Sequence, residues 1–550
     1  MSITFPSSLD SFTNPQATDV TGVVDHALQH RNANDAIEAL EAKVGADSST
    51  STTSLDYKSG IKPYVIVGSS YADYITDGTA DDVQIQAAIN SLTSGGTVFI
   101  KQGTYKIAAK VTIPSNVTIL GSGWATILYS ENASNITLLE NSDTTSGNSN
   151  IIVRDLQINM NRANNTTATN IGAIKLWSCS DSKIENLYIH DMKYAQGTGN
   201  VGIGLANCTD CVVQNNYINT VSDYGIATDS LLRCLISKNV IVDPAGHGIG
   251  VQYSASYSNG RPSHNKIDGN IVFYTSSGLS AVNGIKVQRA DYCSFTNNTL
   301  WCTNGDGGRG ITTTDSGTNT DYETGLEYLG NIIYGFATAG IYSRGALQNI
   351  YSSNQIVCPD SANGIHIRQS TGTGTPNSYK CTVSSNSITF SATNNGGIGL
   401  VFDSGDSFVV AGNSIEYANV GVYTVGGVNH CAITGNEIKN SQRSAINLGV
   451  GGDAAGSLYC SVTGNTIQNS SIINNNTSDG ITLSQASSYN SVTGNIITQA
   501  AANKARYGIS EDTASCDYNV FTGNIIKDVV NGVKIRVQGA NSEQGHNIEV

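Results

Sequence analysis

The sequence predicts an all-β chain wound as a right-handed, single-stranded parallel β-helix, a solenoid, with a short α-helical segment at its N-terminus. The first observation is a phrase, Cys/Asn-x-Val/Ile-Thr/Ser-Gly/Ser/Asn-Asn-x-Ile/Val/Leu, whose second Asn recurs twelve times at spacings of 23 to 33 residues. These are Asn216, Asn239, Asn270, Asn298, Asn331, Asn354, Asn386, Asn413, Asn436, Asn465, Asn495 and Asn524. The second is a Gly-Ile phrase, as in Gly225-Ile226, Gly248-Ile249 and Gly284-Ile285, that follows the Asn by 8 to 16 residues. The third is the lack of any helical period between the two. Short alternating segments are half-buried strands, and without crossover helices same-direction strands pair only if the chain coils.

Taken in chain order, residues 1–45 differ from the rest. Ala33, Ile37, Leu40 and Val44 fall at helical spacing with Gly45 as a stop, which predicts a helix with a narrow apolar stripe and an oligomerisation role. Residues 46–62 read as a linker, rich in Ser and Thr. Residues 63–123 open with Asp81-Asp-Val-Gln-Ile-Gln-Ala-Ala-Ile89, a helix with two acids at its positive end and Val83, Ala87 and Ala88 on its expected buried side. Such a helix closes the open end of a coil stack. Residues 124–550 form the β-helix body of some thirteen or more coils.

Within each phrase the position five before the Asn holds Cys211, Cys234, Cys293, Cys381, Cys431 or Cys460, or an Asn. The position three before it is mostly Val, Ile, Phe or Tyr, and both point inward. Six of the eleven Cys thus share one structural position. Apart from Cys208-Thr-Asp-Cys211 there is no CxxC pair, and that one lacks partners at ligand spacing, so buried free thiols are expected. The repeated Asn is expected to form a stacked amide ladder at one turn, where Asn tolerates left-handed backbone.

Only 13% of the residues are charged and the formal net charge is -14. An acidic chain without a basic run is not a nucleic-acid binder, and neutral or weakly charged partners such as sugars fit better. The N-terminus lacks the charged start and apolar core of a signal peptide, and no run suits membrane insertion.

The helix at 81–89, followed by Gly95-Gly-Thr-Val-Phe-Ile100 and Gly103-Thr-Tyr105, resembles the opening of pectate-lyase-like β-helix proteins, a superfamily that includes phage tailspikes. The segment from His30 to Gly45 resembles N-terminal segments of phage tail proteins. The resemblance implies a virion-attached tail spike or fibre, extracellular after lysis and homotrimeric. Its implied partners are a bacterial surface glycan and, through residues 1–45, other tail or baseplate proteins. It also implies polysaccharide depolymerase activity as one reading, with a glycoside hydrolase ahead of a lyase. A non-catalytic structural or adhesive virion protein is the alternative, and no cofactor is expected.

Alternation after each Gly-Ile sends an outward ladder along one sheet: Ala227 and Asp229, Gly250 and Gln252, Lys286 and Gln288, Thr312 and Thr314, Tyr342 and Arg344, His366 and Arg368. Amides, charges and a ring together suit a glycan, so Gln252, Gln288, Tyr342, Arg344, His366 and Arg368 are the expected substrate-binding residues. The enlarged segments 253–265, 315–328 and 369–380, on every second coil, should wall one corner. Gly246-His247-Gly248 resembles the Gly-His-Gly motif of polygalacturonase-type hydrolases, with Asp223 one coil before and Lys286 one coil after. Asp223, Asp229, His247 and Lys286 are therefore the catalytic candidates, although only one of that family's three aspartates stands in place. For a lyase with calcium the acids would be Asp243, Asp306, Asp315, Asp321 and Glu323, but none makes a spaced calcium motif and no metal is expected.

Overall fold

The computed structural model describes residues 24–46, 54–55 and 63–550, apart from short stretches at 168, 194–196, 222, 276–281, 304–307, 314–321, 370–377, 394–395 and 451–455. Helix α1 (Val24–Val44) ends at Gly45, whose φ of 90° lets its N–H turn back to the Glu41 carbonyl at 2.7 Å. Ile37 and Leu40, from the expected stripe, are 43% and 60% exposed. Most of the expected linker lies outside the described residues. Among the described residues no helix is long and apolar enough to cross a membrane.

Helix α2 (Asp82–Ser91) sits where the sequence placed it, but its buried stripe is rotated. Ile85, Ala88 and Ile89 face inward, while Val83 is 60% exposed and Ala87 is exposed too. The acids at its start make no cap bond to their own helix. Asp81 instead accepts the Lys106 N–H and Asp82 the Ala108 N–H, both at 2.8 Å. These bonds pin the helix to the first coil, and Ile85 and Ile89 then seal the lumen above Val98 and Ile100.

From Tyr64 to the C-terminus the chain winds as a right-handed parallel β-helix with three long sheets, all pairs parallel. A representative coil contributes Val212–Gln214 to the first sheet, Tyr217–Asn219 to the second and Tyr224–Asp229 to the third. Each strand pairs with its equivalent one coil on, without slippage through the cleft region described below. Ile203, Ile226, Ile249, Ile285 and Ile311 stack inside, at most 1% exposed. Phe295, Tyr328 and Tyr351, three before their ladder Asn, stack face to face with centroids 5.3 and 4.9 Å apart. All eleven Cys are free and buried. Burial pushes the thiols of Cys293, Cys358 and Cys381 up to about 12, so they pack as small hydrophobes.

The corner between the first and second sheets carries the asparagine ladder. Asn413 shows its unit: Nδ2 donates to the Asn436 Oδ1 and the Val383 carbonyl, each at 2.9 Å. Its Oδ1 accepts both the N–H and the Nδ2 of Asn386, at 3.0 and 2.9 Å. Two donors and two lone pairs are all used. The ladder begins where the Leu187 N–H donates to Asn216 and runs one step past the twelve, to Asn547. Left-handed backbone falls not on the ladder Asn but on the residue before it, Asn215, Lys238, Gly269, Asn297 and their equivalents, with φ between 54° and 64° in these four. That preceding residue makes the sharp corner, and the Asn side chain fills the space beneath.

Asn413→Ala should therefore strand buried backbone and amide partners on both neighbouring coils. A loss of at least about 3 kcal/mol is expected, read as a lower guanidinium midpoint or faster unfolding. Asn547→Ala, at the ladder's partly buried end, should lose far less, and equal losses would refute a stabilising role for the continuous ladder.

Candidate functional site

The strands of the third sheet are labelled in order β1 (Gly172–Trp177), β2 (Val201–Ala206), β3 (Tyr224–Asp229), β4 (His247–Gln252), β5 (Asn283–Val287), β6 (Arg309–Thr313), β7 (Ala339–Arg344), β8 (Asn363–Arg368) and β9 (Ile398–Asp406). Register places Lys175, Gly204, Ala227, Gly250 and Lys286 in one outward column. Three successive small residues hollow the face between two lysines. A second column, Trp177, Ala206, Asp229 and Gln252, runs beside it. The result is a cleft of about 190 Å³, lined by Lys175, Trp177, Tyr224, Ala227, Asp229 and Gln252 among others.

Of the two glycines of that floor, Gly250 leaves no room for a side chain and Gly204 leaves little. A Cβ on Gly250 would lie 2.7 Å from the Tyr224 ring, and one on Gly204 3.2 Å from Cγ of Lys175. The Tyr224 ring thus lies across Gly250, and its hydroxyl accepts from Gln252 Nε2 at 2.8 Å and from Lys286 Nζ, two coils away, at 3.2 Å. His247 meets the same ring edge-on at 4.9 Å. At the other wall Trp177 Nε1 donates to Glu140 at 3.0 Å, and Glu140 pairs with Lys110, which fixes the indole. Burial lowers the Lys175 ammonium and raises the Asp229 carboxyl, each from its ordinary value.

Of the four catalytic candidates, the fold gathers His247 and Lys286 around Tyr224 and sets Asp229 in register with Gln252, which donates to the Tyr224 hydroxyl. Asp223 sits at the turn entering β3, where its side chain accepts the N–H of the cleft-lining Gly199 at 3.3 Å and its carbonyl accepts the His247 N–H at 2.7 Å. Six residue steps of extended chain separate Asp223 from Asp229, roughly 20 Å. An inverting pair stands about 6.5 to 9.5 Å apart, so these two carboxylates are not a catalytic pair. Burial and then Lys286 depress His247 to about 3, leaving a neutral ring whose Nδ1 lies 3.1 Å from the Asn283 amide.

The expected binding ladder is in register, Lys286, Thr312, Tyr342 and His366 in one column and Arg344 beside Arg368 in the next. Gln252 and Gln288 are half-buried. Tyr342 is not an open stacking platform: it is 5% exposed, with the Arg309 guanidinium carbon 3.9 Å above its ring. His366 and Arg368 both engage Asp403, at 3.1 and 3.4 Å. Thr314, Asp306, Asp315 and Asp321 lie outside the described residues, as do half of the segment 315–328 and most of the segment 369–380. The segment 253–265 folds back over two coils, where the Asn259 N–H donates to Asn207 at 2.9 Å. Asp243 caps a turn by accepting from Thr275. Glu323 is 3% exposed, with its carboxyl pushed up by burial. Neither it nor Asp243 is a solvated cation ligand, and among the described residues no group of three or more His, Cys, Asp or Glu could hold a metal ion.

The sequence reading missed Lys175, Trp177, Glu140 and Tyr224. A signal existed for the first two, because the outward column continues backwards from Ala227 once a coil boundary is drawn through Asn200.

Residues 72–269, from the capping helix through β4, match the family model described as rhamnogalacturonase A/epimerase, pectate lyase-like. No curated protein matches the chain. Among solved structures it is similar to the mannuronan C-5 epimerase A-module of Azotobacter vinelandii, at 16% identity over 87% of this chain and 97% of that one, TM-score 0.31. It is also similar to a tailspike protein mutant of E. coli bacteriophage HK620 in complex with hexasaccharide, at 13% identity over 90% and 82%, TM-score 0.49. A surface adhesin of Streptococcus pneumoniae matches at 14% identity over 72% and 90%, TM-score 0.39.

The depressed His247 value predicts a pH dependence. Its folded value of about 3 lies below the ordinary 6.5, so the unfolded chain binds the extra proton between them. The stabilisation is complete above pH 6.5 and is lost as pH falls towards 3. His247→Gln should flatten that part of the stability profile, seen by comparing melting temperatures at several pH values between these limits. An unchanged slope would show that another group carries it.

Proposed function

We propose that this chain, a pectate-lyase-like right-handed β-helix, is a phage tail spike or fibre that recognises a bacterial surface polysaccharide along its third sheet. The hollow between Lys175 and Lys286 carries this reading. It offers a floor of backbone and small side chains against which a sugar ring can lie, Trp177 as an apolar wall, and Gln252, Tyr224 and Asp229 as directional hydrogen-bonding groups. Shallow polar clefts with an aromatic side suit hydroxyl-rich rings, which need both stacking and angular bonds. The exposed Ile37 and Leu40 on α1 support a trimer that packs through this helix and attaches through residues 1–45 to tail or baseplate proteins.

Cleavage is a second reading, and Asp229 favours it. A carboxyl raised by burial at the edge of a sugar-sized cleft is placed for a general acid, so glycoside hydrolysis stands ahead of lyase-type elimination. The neutral, strongly depressed His247 is a weak base at neutral pH. The non-catalytic alternative keeps the same cleft for adhesion alone.

Titration of capsule and O-antigen polysaccharides from candidate hosts should identify a bound glycan, and Trp177→Ala and Gln252→Ala should each weaken it about tenfold or more. Failure of every polysaccharide to bind would remove the proposal. Release of reducing ends without an unsaturated sugar, lost in Asp229→Asn, would establish hydrolysis, since elimination also frees a reducing end but leaves a ring double bond; binding without release leaves adhesion. Native mass measurement should return three copies, and a monomer would refute the trimer.

A further inference from the structure

A second aromatic group stands on a different face from the cleft. The chain passes from the first-sheet strand Val117–Gly121 to the second-sheet strand Thr126–Ser130 through a 3-10 turn, Gly123–Ala125, which Gly123 opens with a left-handed φ of 75°. The turn holds Trp124 out from the coil, 49% exposed. Its Nε1 donates to the Asn186 carbonyl at 3.2 Å, at the same corner two coils on. An indole has a single donor, so this bond fixes the ring and leaves its apolar surface as what it can offer a ligand.

The ring does not stand alone. Register brings Tyr188 and Tyr217 into one outward column of the second sheet, and their centroids lie 5.1 and 6.2 Å from that of Trp124, tilted 38° and 44° to it. Tyr188 stacks in turn on His190 at 4.4 Å, and His190 is held by Gln157 at 2.7 Å and Asp191 at 2.9 Å. Three tilted rings, tied down at both ends, make a fixed shelf. Gln157, in register with Tyr188, edges it with an amide, as do Asn215 and Asn219, two before and two after Tyr217. A polar hollow of about 430 Å³, lined by Ser69, Ser70, Lys101, Gln102 and Ser122, meets the same turn at Ser122.

The size of the shelf and the chemistry of its rim select the ligand. On the second-sheet strands 126–130, 157–159, 188–190 and 217–219 no large hydrophobic side chain is exposed, so the apolar surface ends with these rings. A stable protein partner needs roughly 800 Å² on each side, with an apolar centre. A sugar ring needs far less: an aromatic surface for its C–H face and directional groups at its edge.

We propose that Trp124, with Tyr188 and Tyr217, forms a second carbohydrate site that stacks an uncharged hexopyranose unit of the surface polysaccharide. The strands Tyr188–His190 and Val201–Ala206 belong to one coil, so shelf and cleft share coils but face out from different sheets. Each therefore takes a different stretch of polymer, and holding a surface mesh at two points raises the overall affinity through effective concentration. This rests on the polysaccharide-binding reading of the chain and adds a site outside the cleft.

The test uses short oligosaccharides made by partial acid hydrolysis of the best-bound polysaccharide of the host panel. Titration calorimetry should return two sites per chain for wild type and one for Trp124→Ala, the survivor being the site that Gln252→Ala weakens. Tyr217→Thr should weaken the shelf site about tenfold, and it provides a second variant should Trp124→Ala fail to fold, which melting temperature checks. Trp124→Ala should also weaken intact polymer by about tenfold or more. Binding that neither shelf variant alters, with one site lost in Gln252→Ala, would overturn the shelf and leave the cleft. A site lost in Trp124→Ala and untouched by Gln252→Ala, with no other present, would support the shelf and overturn the cleft. A changed copy number in native mass measurement of Trp124→Ala, with glycan binding intact, would make the shelf a contact between copies and overturn the proposal. No binding to any polysaccharide would overturn both sites.

Discussion

The buried asparagine ladder is the constraint on which the rest of the molecule depends. At its sharp corner each parallel coil leaves one N–H and one carbonyl to side-chain partners, as with the Asn413 N–H and the Val383 carbonyl, and such groups are costly to bury unpaired. Each ladder amide answers this by donating to a carbonyl of the preceding coil and accepting an N–H, while bonding the next amide in line. Only a side chain of this length with both donor and acceptor fits. Aspartate cannot donate, and glutamine is a methylene too long for the corner. Because every rung must meet the next, the ladder fixes coil register over most of the chain.

Fixed register turns the outer surface into columns. A residue chosen at one strand position is held a coil's rise from its equivalents, so three small residues in a row become a hollow and Arg344 and Arg368 stand side by side. The cleft owes its depth to Gly204 and Gly250, whose missing side chains admit the Lys175 stem and the Tyr224 ring. Its walls owe their rigidity to bonds that span coils, Lys286 to Tyr224 and Trp177 to Glu140. The scaffold and the site thus use the same periodicity in opposite ways, identical amides inside and varied side chains outside.

The charge distribution follows from the same separation. Loops and turns carry most of the acids, whereas the third sheet between β1 and β8 presents Lys175, Lys286, Arg309, Arg344 and Arg368. Net charge therefore says little about this face, where the described cations stand beside Asp229 and Asp403. Buried acids such as Glu323 add to the formal total without adding to the surface charge.

The sequence by itself determined the coil, its handed parallel winding, the inward Cys, Ile and aromatic columns, and the outward ladder from Ala227 to Arg368, because each is a repeat with a fixed period. It also placed both helices, though the inward side of α2 came out rotated: Ala and Val are weak burial signals, and Ile85 and Ile89 fit the lumen. Only the tertiary structure decided what stands near what across coils. Asp223 and Asp229 looked like neighbours in sequence and are opposite ends of one extended strand. Tyr342 looked like an open ring and lies beneath an arginine from the coil before. Tyr224, an unremarked residue beside Asp223, became the centre of the cleft because Gly250, one coil on, left its ring room. Contacts between coils depend on side-chain reach and on the gaps that neighbours leave, and neither is written in a one-dimensional period.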